Sequence, residues 1–108
     1  MGPQNIANIN NRTYRLTASA SSQSFTVTGA NTCDYIIVRN NTNVVIAVAS
    51  GSSTVTVSFP SAGADAQGQV VFPGQIESFK KETGHTHVAV ICQSAPTTTD
   101  VFVTFGGV

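Results

Sequence analysis

Cys33-Asp34-Tyr35-Ile36-Ile37-Val38-Arg39-Asn40-Asn41-Thr42-Asn43-Val44-Val45-Ile46-Ala47-Val48-Ala49 is the stretch that decides the fold. Tyr35 to Val38 is wholly apolar, Asn40 to Asn43 is a strong loop signal, and Val44 to Ala49 is apolar again. This pattern predicts a third and a fourth strand joined as a hairpin. Neither run alternates with polar residues, so both strands are expected to be buried on both faces and therefore central.

The flanks alternate with period two. Upstream, Tyr14, Leu16 and Ala18 share one face of a first strand, and Phe25 and Val27 face inward on a second. Downstream, Gly51-Ser52 turns into Thr54-Val55-Thr56-Val57-Ser58-Phe59, a clean alternation that predicts another strand. Pro60–Gln69 is a loop of small residues, and Pro73-Gly74 is a turn between Val70–Phe72 and Ile76–Lys80. Thr86–Cys92 and Asp100–Phe105 are the last strands, and no segment carries the 3.6-residue apolar period of a helix. Eight to nine short strands predict an all-β fold, a β-sandwich of jelly-roll type, with an immunoglobulin-like sandwich second. The chain has no Trp, hence no Cys-Trp-Cys pattern, which disfavours a true immunoglobulin domain. Residues 1–12, polar and Asn-rich, are expected to be an extended N-terminal arm, and 13–108 a single sandwich domain.

At 108 residues the chain can bury roughly two-thirds of its unfolded surface, enough for a core without staples. Charged side chains make up 9% of it, against about 25% in an average domain, and its formal net charge is zero. Arg12, Arg15, Arg39, Lys80 and Lys81 are scattered along the sequence, so no basic field that would hold phosphates is expected, and nucleic acid is disfavoured as a partner. A surface of Thr, Ser and Asn loses little side-chain entropy on burial and suits an interface. The competing explanation is an extracellular-type β domain whose threonines follow from strand propensity. No signal peptide is visible and no apolar run approaches the roughly 20 residues of a membrane helix, so neither secretion nor a membrane partner is expected. In a reducing cytosol, Cys33 and Cys92 are expected to be buried thiols.

Titratable groups are few. Asp34, Asp65, Glu77, Glu82 and Asp100 show no dyad spacing, and no nucleophile elbow, phosphate loop or dinucleotide fingerprint occurs, so neither an enzyme nor a cofactor is expected. His85-Thr86-His87 is the sharpest local signal, because strand residues two apart project to one face and could ligate one metal. The plainer alternative puts His85 in a turn and His87 on a polar strand face. Gly63-Ala64-Asp65-Ala66-Gln67-Gly68 offers one carboxylate and is a poor match to a calcium loop.

The C-terminal third carries a resemblance. Val70-Val71-Phe72-Pro73-Gly74-Gln75-Ile76-Glu77-Ser78-Phe79, then Thr86-His87-Val88-Ala89-Val90-Ile91, then Thr99-Asp100-Val101-Phe102-Val103-Thr104-Phe105-Gly106-Gly107-Val108 resembles the ending of small virion proteins of tailed bacteriophages. The small size is similar to that of capsid decoration (cement) proteins. The resemblance implies a structural protein made in the host cytoplasm and carried on the capsid surface. Its partners would be the major capsid protein and further copies of itself, as a dimer or trimer. Contacts are then expected from Gln4, Asn5, Ile6, Asn8 and Ile9 in the arm, from Asp65 and Gln67 in the small-residue loop, and from Gly106 and Val108 at the end. A tail or head–tail connector component is the alternative in the same class. A carbohydrate-binding β-sandwich module is the alternative outside it, although that reading wants exposed aromatics.

Overall fold

The structure, a computed structural model, describes residues 8–27, 35–60, 63, 68–82 and 84–107. Eight strands occur among them: β1 (Asn8–Thr17), β2 (Gln23–Thr26), β3 (Tyr35–Asn40), β4 (Ile46–Gly51), β5 (Gln69–Val71), β6 (Ile76–Lys80), β7 (His87–Cys92) and β8 (Asp100–Gly107). They form two four-stranded sheets, β1-β8-β3-β6 and β2-β7-β4-β5, with every neighbouring pair antiparallel. Between the sheets lie Leu16, Ala18 and Val27, on the faces expected of them, together with Val38, Val48, Val90 and Val103. Phe105 is fully buried, with Tyr14 edge-on against it at 5.5 Å between ring centres. Each such side chain contributes about 1.5–3 kcal/mol on leaving water.

The third and fourth strands are central, as expected, but they are not a hairpin. β3 lies between β8 and β6 in one sheet, and β4 between β7 and β5 in the other. The loop between them carries the chain from one layer to the other. Burial on both faces holds for β4 but not for β3, whose outward Tyr35 and Ile37 are half-buried and Arg39 exposed. An unbroken apolar run is also silent on which strand lies alongside.

Thr54–Phe59 also departs from expectation. It joins neither sheet, and lies as a strap over the outer face of β2-β7-β4-β5, where Val55, Val57 and Phe59 pack on Ala47, Ala49, Ala89 and Ile91. Alternation records one buried and one wet face, a condition that a strap meets as well as a strand. The alanines explain how it fits: small side chains let the strap approach the sheet closely. A Cβ added to Gly51 would stand 2.8 Å from the Cβ of Val55, and one on Gly68 would stand 2.7 Å from Val57 Cγ2.

The arm expected over residues 1–12 gives way to strand from Asn8. Asn8 pairs with Gly107 and Ile9 with Gly106, followed by a register shift before Thr13. Ladder bonding is made by the backbone, so an Asn-rich composition does not betray a strand. Residues 1–7 lie outside the described residues.

One end of the sandwich is organised by Asn40, whose side chain is fully buried. Its Nδ2 donates to the carbonyls of Val44 and Val71, each at 2.9 Å, and its Oδ1 accepts from the Thr42 amide and hydroxyl. Its backbone donates to Gln75 O and accepts from Gly74 N. Gly74, at φ 77°, follows Pro73 in a turn closed by Gln75 N donating to Phe72 O, the type II pattern. Asn43 Oδ1 accepts from the amides of Thr97 and Thr98. Three connections are thus bound into one end.

Asn40→Ala leaves those buried partners unmet, and is expected to lower unfolding stability by about 2–4 kcal/mol. Asn40→Asp cannot donate to the two carbonyls while ionised, and burial raises its folded pKa above its unfolded one. Its stability is therefore expected to be highest in acid and to fall as pH rises through the carboxyl range. Urea unfolding of both variants across pH checks both.

Candidate docking face

The two histidines are held by different hydroxyls. His85 Nδ1 lies 2.9 Å from Ser50 Oγ, whereas His87 contacts Thr86 Oγ1 through Nδ1 at 2.8 Å and Thr26 Oγ1 through Nε2 at 3.3 Å. No group of three or more metal-ligating side chains occurs among the described residues. His85 belongs to a pinned loop: the buried Lys81 donates from Nζ to Glu82 O and His85 O, and Thr86 N donates to Gly51 O. Glu82 completes a serine–histidine–carboxylate succession only loosely. Its carboxylate lies 4.0 Å from His85 Nε2 on a side chain 87% exposed, which does not orient the ring.

Cys92 is a buried free thiol facing the core, and burial raises its pKa above the ordinary value. Cys33 lies outside the described residues, as do Gln4, Asn5, Ile6, Asp65, Gln67 and Val108. Of the other expected contact residues, Asn8, Ile9 and Gly106 sit within the β1–β8 ladder, and Gly106 also pairs with Tyr35.

The two sheets differ in what covers their outer faces. The strap lies over β2-β7-β4-β5, while no described segment packs over β1-β8-β3-β6. Alternation on that bare sheet turns one set of side chains outward in two cross-strand rows. One row runs Thr13, Thr104, Ile37, Ser78, and the other Arg15, Phe102, Arg39, Ile76. Thr13, Ile37, Arg39, Ile76, Phe102 and Thr104 line an open groove of about 360 Å³. Phe102 and Ile37 are half-buried and Ile76 is 51% exposed. The two threonine hydroxyls are hydrogen-bonded to each other at 2.9 Å across the groove. Arg15 lies 3.9 Å from Asp100, and Lys80 projects from the same face.

Cations that are scattered in sequence therefore gather in the fold: Arg15, Arg39 and Lys80 share one face. The sequence signal for this face was present in Ile36-Ile37-Val38 and Val101-Phe102-Val103, where an apolar residue stands at the outward position of an alternating pattern.

No protein-family model matches the chain, and no curated protein matches it. Among solved structures, a protein of Bacillus endospore appendages, which form disulfide-linked pili, is similar at 14% identity over 90% of this chain and 85% of that chain, with a TM-score of 0.48. A likeness that distant carries no functional argument.

The Cys92 environment yields a checkable consequence. With its folded pKa above the unfolded one, the thiol's contribution is full below the unfolded pKa and is lost as pH rises through the folded value. The stability advantage of wild type over Cys92→Ala is therefore expected to narrow in alkali, read by urea unfolding above the ordinary thiol range. In native protein the thiol is expected to react with a disulfide reagent only as fast as the fold opens.

Proposed function

We propose that this protein is a non-enzymatic virion structural protein, a decoration (cement) protein that docks on the major capsid shell of a tailed bacteriophage and stabilises it. The observation that carries the reading is the asymmetry between the sheets. One outer face is covered by the chain's own strap, and no described segment packs over the other, which has an apolar groove at its centre. Uncovered apolar surface of this kind marks an interaction site. The strand order β1-β8-β3-β6 over β2-β7-β4-β5 supports a jelly-roll sandwich, a rigid platform for such a face. The low charge content and the Thr/Ser/Asn surface support assembly, because such side chains lose little entropy when an interface orders them. The resemblance of residues 70–108 to small virion proteins supplies the particle, and further copies of the chain in a dimer or trimer fit the same role.

Purified protein is expected to co-sediment saturably with undecorated capsid shells from its source on a sucrose gradient. The double variant Phe102→Ser, Ile76→Ser changes only outward positions. It is expected to stay folded with a modestly lowered unfolding midpoint, because Phe102 is half-buried, while losing at least tenfold in affinity for the shells. Wild-type protein that stays at the top of the gradient would overturn the reading, and binding to a smaller ring-shaped complex would favour a connector role. Undiminished binding by the folded double variant would move the docking face elsewhere.

A further inference from the structure

We infer that the bare β1-β8-β3-β6 face takes a partner of a specific chemistry: a different protein surface that presents carboxylates beside an apolar ridge. The inference rests on the docking role proposed above and deepens it by naming what the face binds.

The charges on the face are one-sided. Among the described residues, Arg15, Arg39 and Lys80 project outward with a single carboxylate, Asp100, beside them. The pairing register places Phe102 between Arg15 and Arg39, and Arg39 in turn between Phe102 and Ile76. Apolar and cationic side chains therefore alternate along one row. Arg15 is 70% exposed despite its contact with Asp100, so its guanidinium remains available for a partner. Arg39 is exposed as well. An arginine fork matches a carboxylate with two parallel hydrogen bonds, and docking that removes water around it strengthens the pair. An apolar side chain of the partner entering between Phe102, Ile37 and Ile76 would exclude that water.

The same arrangement argues against two other occupants. A second copy docked face to face about a twofold axis would present the same surface to itself, setting three cations and one carboxylate against an identical set. Like charges brought together across an interface are costly. Any homo-oligomer must then use other surfaces, leaving this face for its partner. Nucleic acid wants a continuous field of cations along its backbone. Here the centre of the face is Phe102, Ile37 and the paired hydroxyls of Thr13 and Thr104, which offer phosphate little.

The deciding experiment compares shells before and after their carboxylates are neutralised with carbodiimide and ethanolamine, using co-sedimentation with wild-type protein over a salt series. Binding to untreated shells is expected to weaken as salt rises, and neutralised shells are expected to bind at least tenfold more weakly. Arg15→Glu with Arg39→Glu is expected to reproduce that loss on untreated shells. Thr54→Glu with Thr56→Glu, on the outward side of the strap across the molecule, is expected to bind as wild type does. Equal binding to neutralised shells, or full binding by the folded arginine variant, would overturn the carboxylate partner while leaving the docking role standing. No binding of wild type to untreated shells would overturn both. A dimer in sedimentation equilibrium that Phe102→Ser dissociates would replace the partner with a second copy. Filter retention of duplex DNA that the arginine variant abolishes would replace it with nucleic acid.

Discussion

A single buried amide ties the two layers of this sandwich together at one end. Asn40 stands where the chain leaves β3 and crosses to the other layer, and its side chain has both hydrogens and the oxygen engaged. Through Val71 it reaches β5 in the opposite sheet, and through Gln75 and Gly74 it grips the turn into β6. A polar group this deep is tolerated only when fully satisfied, and then it specifies one arrangement of its neighbours. The main chain of Asn40 also bonds the turn into β6, the strand whose register with β3 sets Arg39 beside Ile76.

The second constraint is steric. Ala47, Ala49 and Ala89 form a shallow floor on one sheet, and the strap fills it with Val55, Val57 and Phe59. β4 is thereby buried on both faces without a third sheet. The opposite sheet has larger outward residues, Ile37 and Phe102, and no described strap. Two sheets of equal strand number thus end with unlike outer surfaces among the described residues.

Much of the architecture was legible in the sequence because period-two alternation is a local property. Tyr14, Leu16 and Ala18 share a face in the fold as they do in the pattern, and Phe25 and Val27 likewise point inward. What was not legible is non-local. Asn40-Asn41-Thr42-Asn43 announces a loop, yet its role in crossing the layers depends on Val71, thirty-one residues away. Thr54–Phe59 alternates perfectly and still pairs with no strand, because hydrogen-bond partners are absent from a hydrophobicity pattern. The clustering of cations on one outer face was hidden for the same reason. Arg15, Arg39 and Lys80 are far apart in sequence, and antiparallel pairing is what brings them together. Sequence reasoning looked for contacts in irregular segments, whereas the bare surface is made by regular strands.

The register shift in β1 has a consequence for how such a protein behaves at high concentration. β1 is the longest strand and lies at a sheet margin, a position that invites another chain to add on. The break between Ile9 and Thr13 interrupts the even spacing of its backbone groups, as bulges at sheet margins do. A foreign strand could match only part of its length. The break thereby shortens the run that another chain could add to at this margin, while the net charge of zero supplies little electrostatic repulsion to keep copies apart.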